Sequence, residues 1–333
     1  MTISFKKRNP EPLQFDHKDL ENVHEHKHLG LTLSSNLTWS SHINNIISEA
    51  SRMSDVLKRL KYDLDRSTLE KIYFSFIRPK LEYAAHIWDN CSKKDSDKLE
   101  QFQIEVARTV TGARKGTSHE LLYSELKWET LSQRRMTSKL LNIHRIVNKS
   151  APSYMSNLIP QNYNDKRYSL RNVHDIRTPK TRTETFRKSF IPSSINLWNN
   201  LEPEDRLLDY ETFKTKLNTK DAPNKLFYLG NRASNIKHSQ LRLNCSKLNN
   251  DLYSLHVVDN PSCPCGSPIE DVYHYFYVCP LFANERQILF QSIAKFNITD
   301  YKMLLYGNNN VDYNSNVDIF NAVHTFIENT GRL

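Results

Sequence analysis

Apolar side chains recur every three or four positions between residues 40 and 150, which is the spacing of α-helices with one buried face. The first run shows this spacing throughout: Ile43, Ile46, Ile47, Ala50, Met53, Leu57 and Leu60. Ser67 and Glu70 have the spacing of a capping box for the next helix, and Pro79 is expected to kink or divide it. Further helices are expected after Asp95-Ser96 as far as Gly112, around 121–126 and at about 131–147. The pattern predicts an all-helical bundle over residues 39–150.

The pattern changes on both sides of this bundle. Polar and apolar residues alternate from Lys27 to Leu33, which predicts a strand or hairpin within residues 1–38, with Gly30 at a turn or bulge. Residues 151–225 hold few aliphatic side chains in their first half, where many Lys, Arg and Thr residues favour strands or irregular backbone. Two short helices are expected in the second half, at 193–198 and 209–217.

The C-terminal segment, residues 226–333, is predicted to be a small α-helical module. It would contain a basic helix around Gln240–Leu252, a cluster of cysteines, and a helix from about Leu281 to Phe296. The predicted fold is therefore mainly α, in four segments: an N-terminal β-hairpin, a helical bundle, an irregular basic linker region and this cysteine-containing module.

The charge along the chain is uneven. The 333 residues carry a net charge of +9, and two blocks, 161–192 and 214–247, each hold eight Lys or Arg against three acids and one acid. After residue 247 the balance reverses, with nine acidic and four basic residues. Basic blocks that contain Tyr and Phe suit a nucleic-acid backbone with stacked bases, although a solvated basic surface would show the same composition.

Several classes of protein are disfavoured. No run of about 18 apolar residues predicts a membrane span, and the first residues lack the apolar core of a secretory signal. Five cysteines do not form a disulfide framework, so we expect an intracellular protein of the nucleus or cytoplasm, without a membrane partner. No glycine-rich phosphate loop, nucleophile elbow or Ser/His/Asp arrangement is present.

Three cysteines and a histidine follow one another closely in the C-terminal segment: Cys263, Cys265, His274 and Cys279. Three thiolates and one imidazole complete the tetrahedral ligand set of a structural Zn²⁺ ion, with no position left for water. The single residue between the first two cysteines is shorter than the usual finger spacing, so metal-free core thiols are the alternative. A bound ion would stabilise the fold of this polar segment.

The sequence around this cluster resembles the terminal zinc knuckle of LINE-type (non-LTR, jockey-like) reverse transcriptases. Lys27–Gly30 resembles the primer-grip motif at the end of the palm in that family, although His28 replaces the usual Tyr or Phe. Ile77–Trp88 is similar to the thumb motif, and Tyr168–Arg171 is similar to the region after the thumb. The motifs occur in the family's order along nearly the whole chain.

The resemblance implies a thumb-like bundle and binding of template–primer RNA and DNA; protein partners are not implied. The expected contacts are Lys27, His28, Gly30, Arg167, Arg171, Arg177, Lys180, Arg182, Arg242, Lys247 and Arg286. The adjacent Asp pair that holds catalytic Mg²⁺ in the family is absent from this sequence, so we expect no polymerisation by this chain alone and Mg²⁺ only in a longer parent enzyme. A protein–protein adaptor derived from such an element, and a remnant without a cellular role, are the alternatives.

Overall fold

The N-terminal part contains two short antiparallel hairpins. In the computed structural model, which describes residues 14–160, 175–218 and 222–333, β1 (Gln14–Phe15) pairs with β2 (Lys18–Asp19). β3 (Glu25–His28) pairs with β4 (Leu31–Ser34) in the next hairpin. The described residues are otherwise mainly helical, so the predicted fold class is confirmed.

The turn between β3 and β4 contains two residues, Leu29 and Gly30. Both have positive φ, at 46° and 82°, and His28 pairs with Leu31 across the turn. Two successive positive φ angles define the hairpin turn whose twist matches that of the strands, and its second position favours glycine. The predicted hairpin and the position of Gly30 are therefore confirmed.

The region predicted as a helical bundle consists of helices with short connections. They are α1 (Ser40–Leu60), α2 (Arg66–Ile72), α3 (Arg78–Glu82), α4 (Ala85–Trp88), α5 (Lys93–Thr111), α6 (His119–Leu126) and α7 (Leu131–Val147). α5 ends before Gly112, whose φ of 74° suits the residue that follows a helix. α7 starts at a capping box formed by Thr130 and Gln133, which closes its first turn.

The predicted capping box of α2 is wrong, and the predicted division of the helix at Pro79 is not seen. The cap of α2 is Asp65, whose side chain accepts the Thr68 N–H, whereas the predicted cap partner Glu70 instead receives a bond from Arg66. Pro79 does not divide the helix, because a π-helical turn at Tyr73–Ile77 precedes it and joins α2 to α3. Proline has no N–H to donate to the preceding turn, and the wider π turn accommodates the loss of this hydrogen bond.

The remaining described residues form shorter helices up to the long α17. They are α8 (Ser153–Ser156), α9 (Glu184–Lys188), α10 (Phe190–Asn199), α11 (Pro203–Arg206), α12 (Tyr210–Leu217), α13 (Arg232–Arg242), α14 (Asn249–Ser254), α15 (Ala283–Ile293), α16 (Tyr301–Tyr306) and α17 (Tyr313–Thr330). The predicted helices at 193–198 and 209–217 are confirmed as α10 and α12. None of the helices in the described ranges is long and apolar enough to cross a membrane.

The predicted basic helix around Gln240–Leu252 is wrong. The structure has two helices there, α13 and α14, separated by a segment in which Asn244 has a φ of 51°. The hydroxyl and N–H of Ser246 both donate to the buried Asp251 carboxylate, which holds the chain in this non-helical turn. Local hydrogen bonds of this kind end a helix that periodicity alone would continue.

The chain divides into two compact units, each assembled from separate stretches of sequence. The first unit contains residues 1–50, 78–101 and 129–220; the second contains 51–77, 102–128 and 221–333. In the first unit, α7, α10 and α12 enclose a core that includes Ile143, Ile195, Trp198 and Phe213. The second unit has a larger core between α15 and α17: its fully buried members include Tyr275, Phe276, Ile319, Val323 and Ile327.

Candidate functional site

The first two candidate metal ligands lie on a tight loop in the second unit. The Cys263 N–H donates to the Ser267 carbonyl over 2.9 Å, and the Gly266 N–H donates to the Cys263 carbonyl over 2.9 Å. Gly266 has a φ of 95°, a backbone conformation that side chains with a Cβ rarely adopt. The chain therefore reverses within five residues, which places Cys263 and Cys265 together despite the short spacing between them.

The other two candidate ligands are the first residue of a π-helical turn, His274–Val278, and the residue that follows the turn, Cys279. The Cys279 N–H donates to the His274 carbonyl over 2.8 Å, and this hydrogen bond between residues five positions apart is characteristic of a π-helical turn. The Asp271 carboxylate accepts the His274 N–H over 2.7 Å at the start of this turn. The wide turn brings two side chains five residues apart to the same place.

The four candidate ligand atoms lie close together. They lie within 4.8 Å of one another; the Cys263 and Cys279 sulfurs are 3.7 Å apart, and the Cys265 sulfur is 3.3 Å from Nε2 of His274. Bonds of about 2.3 Å from zinc to sulfur and about 2.0 Å to nitrogen would separate tetrahedral ligand atoms by roughly 3.5–3.8 Å. The number, type and spacing of these donors are consistent with a zinc site.

The acid–base properties of the thiols also depend on their surroundings. Burial raises the pKa of Cys263 to about 12 and raises the pKa of Cys279, whereas the Ser267 N–H is the main cause that lowers the pKa of Cys265. The raised pKa values keep the thiols of Cys263 and Cys279 protonated at neutral pH. A coordinated dication would reverse this preference and hold all three as thiolates.

A buried carboxylate links this loop to two other segments of the module. Glu270 accepts a bond from the Asn249 N–H over 2.8 Å and two bonds from the Arg332 guanidinium, the shorter at 2.5 Å. The same carboxylate lies 3.8 Å from the Cys263 sulfur. Sequence reasoning missed Glu270 and Arg332, because a bond between residues 62 positions apart leaves no local pattern.

The predicted phosphate contacts near the cluster differ in accessibility. Lys247 is exposed, and Arg286 is half-buried with its guanidinium donating to the Cys279 carbonyl. Arg242 is buried: its guanidinium pairs with Glu125 over 2.8 Å and lies 4.0 Å above the Phe227 ring. The prediction that Arg242 contacts phosphate therefore needs correction, because its charge is already paired in the protein interior.

Glu125 is in fact shared by two buried arginines. Arg66 donates to its carboxylate over 2.8 Å and also pairs with Glu70 over 3.0 Å. Burial opposes ionisation of Glu125, but the charges of Arg242 and Arg66 outweigh this effect and lower the pKa of its carboxyl group. These residues link three sequence segments of the second unit, and their pairing was not visible in the sequence.

The other predicted contacts in the described residues are exposed. Lys27, His28 and Gly30 lie at the end of the β3–β4 hairpin in the first unit. Arg177, Lys180 and Arg182 follow one another in a segment without regular helix before α9. The last two, Arg167 and Arg171, lie outside the described residues.

The primer-grip-like and thumb-like motifs contact each other within the first unit. The Tyr83 hydroxyl donates to the Leu29 carbonyl over 3.1 Å, and its ring lies 3.1 Å from the position that a Cβ on Gly30 would occupy. A side chain at position 30 would therefore meet both the ring and an unfavourable backbone conformation. The sequence contained both motifs but gave no sign that the tyrosine of one supports the turn of the other.

Comparison with known proteins gives one informative likeness. The chain is 26% identical over 134 residues to a Drosophila melanogaster protein described as "Probable RNA-directed DNA polymerase from transposon X-element". The match covers 39% of this chain and 14% of that relative. No known family profile and no solved structure matches the chain. The likeness supports a region related to retrotransposon reverse transcriptases.

Proposed function

We propose that the chain is a C-terminal part of a LINE-type, jockey-like reverse transcriptase that binds template–primer RNA and DNA. Its first unit would contain the end of the palm with the primer grip and part of the thumb, and its second unit would contain the zinc knuckle. The observation that carries this proposal is the likeness to the transposon polymerase, because it does not depend on any single motif. The Tyr83–Gly30 contact between two of the motifs gives separate support.

In this proposal the chain has no polymerase activity of its own. Nucleotide transfer by a two-metal mechanism needs carboxylates that clamp two Mg²⁺ ions, and the adjacent Asp pair that supplies them in this family is absent from the sequence. Mg²⁺ would therefore belong to a longer parent enzyme. Zn²⁺ bound by Cys263, Cys265, His274 and Cys279 would be structural, since four protein ligands leave no site for a reacting water.

The proposed nucleic-acid surface combines the exposed basic residues. Lys27 and His28 at the hairpin turn would contact the primer strand, and Arg177, Lys180 and Arg182 would contact the RNA backbone. Lys247 is the exposed candidate close to the knuckle. Single arginines and lysines that contact phosphates act mainly as positive charges, so their effects depend strongly on salt.

Binding of the full chain to a labelled RNA–DNA template–primer, measured by fluorescence anisotropy over a range of salt concentrations, tests this proposal. The logarithm of the affinity should fall linearly with the logarithm of the salt concentration. Replacing Arg177, Lys180 and Arg182 together by alanine should make the slope shallower by about 3, because each lost phosphate contact removes about one unit. Lys295→Ala, which removes an exposed lysine from the 3-10 turn that follows α15, is the control.

A protein–protein adaptor is the second candidate, and one observation favours it. Three large apolar side chains within two residues of a candidate zinc ligand are about half exposed: Tyr273, Val278 and Leu281. An adaptor would bind a protein through such a surface and would bind the template–primer weakly and without a salt slope. The anisotropy measurement distinguishes the two candidates directly.

A further inference from the structure

The first unit contains an open groove that the proposed contacts do not use. Its volume is about 600 Å³, and its walls come from α4, the C-terminal half of α7, the region of α8 and the start of α10. Most of the lining is apolar or aromatic, including Ile87, Tyr154 and Phe190. This volume is in the range of grooves that take a small organic molecule or one segment of a larger ligand.

Two aromatic rings line the groove beside an imidazole. Tyr154 is 66% exposed, so its ring is available to a ligand, and the Phe190 ring packs edge-on against His86 with 5.4 Å between the ring centres. Burial lowers the pKa of His86, with a further contribution from the charge of Lys139. The imidazole is therefore neutral at pH 7 and adds a flat surface without charge.

The polar groups of the groove favour a ligand with negative charge. Arg145 is the one charged residue in the lining; it lies 6.0 Å from the Tyr210 ring and makes no ion pair with any carboxylate of the described residues. The Asn142 side chain donates to the Ser138 carbonyl over 3.0 Å, which leaves its second N–H and its carbonyl oxygen for a ligand. Aromatic surfaces, one cation and an amide suit a nucleotide.

Basic residues also lie next to lining residues of the groove along the chain. Arg187 and Lys188 directly precede the lining residue Ser189, and Lys149 closely precedes the lining residue Ala151. The exposed Glu184 pairs with both Arg187 and Lys188, so these flanking segments keep an excess of positive charge. A strand whose base enters the groove would therefore keep its neighbouring phosphates beside cations.

We propose that this groove binds one base of a single-stranded nucleic acid, stacked on Tyr154, with a flanking phosphate at Arg145. The proposal rests on the proposed function and adds a specific site to it. Base stacking on aromatic side chains tolerates any sequence, since every base has an aromatic face. The site would hold an unpaired part of the template strand and not the duplex.

A comparison of two labelled strands tests the groove. One is a short single-stranded RNA of uridines, and the other is an abasic strand with the same number of phosphates. The full chain should bind the uridine strand more tightly, and Tyr154→Ala should weaken that binding about tenfold while leaving the abasic strand unaffected. Tyr313→Ala, which removes a similarly exposed tyrosine from α17, should change neither affinity. Arg145→Ala should weaken both strands and reduce the salt slope by about 1.

Crosslinking locates the contact. A strand containing 4-thiouridine, irradiated in the presence of the full chain, should give adducts on peptides from residues 142–155 or 189–191. Equal, salt-dependent binding of both strands would overturn the proposed base-binding site, and so would adducts confined to other peptides. The proposed function would still stand. A groove that binds a peptide would give this result. Failure to bind either strand or the template–primer would overturn both proposals.

Discussion

The two compact units differ in what stabilises them. The core of the first unit is mainly aliphatic and aromatic, and although Arg135 and Lys139 are buried, the Asp89 carboxylate that pairs with both remains partly exposed. The second unit encloses the fully buried Arg66–Glu125–Arg242 set and the four candidate zinc ligands. The first unit therefore relies mainly on apolar burial, whereas the second also relies on buried ion pairs and, in our proposal, on a bound zinc ion.

Loss of the metal should have the largest effect. Cys279→Ser leaves three ligands for zinc, and structural zinc contributes on the order of 10 kcal/mol to the folding of small zinc modules. We expect hydrogen exchange, followed by mass spectrometry, to rise strongly in residues 261–282 and little in α7 and α10. Cys91→Ser, a half-buried cysteine of the first unit, is the matched control. Equal protection of 261–282 in the two variants would contradict the difference between the units.

Breaking the buried ion pairs should have the next largest effect. Arg242→Met leaves Glu125 with one arginine in the interior, and removal of one partner from a buried pair costs about 3–5 kcal/mol. Urea unfolding should show this loss in the second unit. Lys247→Ala removes a nearby exposed charge and should leave the free energy of unfolding unchanged. If both variants unfolded at the same urea concentration, Arg242 would not be a structural residue.

Acidification should destabilise the second unit through a histidine pair. Nδ1 of His238 lies 3.1 Å from Nε2 of His324, and burial lowers the pKa of His238 well below normal and that of His324 to about 4. Both are neutral when folded, so their stabilising effect is complete above the unfolded pKa of 6.5 and is lost as the pH falls towards 4. The shift of the His324 pKa from 6.5 to about 4 corresponds to about 3 kcal/mol of the free energy of unfolding.

The measurement is urea unfolding at pH values from 7.5 to about 4.5, repeated with the variant His324→Phe. The variant should lose part of the pH dependence, because one of the two groups that take up a proton on unfolding is gone. An unchanged pH dependence in the variant would show that the histidine pair does not cause it.

The smallest expected effect lies in the hairpin of the first unit. Gly30→Ala introduces a Cβ at a φ of 82°, 3.1 Å from the Tyr83 ring, and should cost about 1–2 kcal/mol. Gly331→Ala also has a positive φ but meets no atom within 4 Å, so it should cost less. Thermal unfolding measures both. A larger loss for Gly331→Ala would show that Tyr83 does not confine the turn.

Sequence reasoning succeeded where the determining signal is local. The C-terminal end of α5, the bounds of α7, the turn at Gly30 and the grouping of three cysteines with His274 all follow from spacing and from the residues next to them. Sequence reasoning failed where the local structure depends on a contact with another residue that no local pattern reveals. Arg242 reads as a basic surface residue because Glu125 lies 117 positions away, and the break between α13 and α14 depends on a side-chain bond of Asp251.

The metal content of the protein tests the central claim most directly. Elemental analysis of the full chain, purified without chelators, should find one zinc ion per chain, and a strong chelator should remove it together with the hydrogen-exchange protection of residues 261–282. A chain that contains no zinc and keeps full protection of these residues would contradict the account.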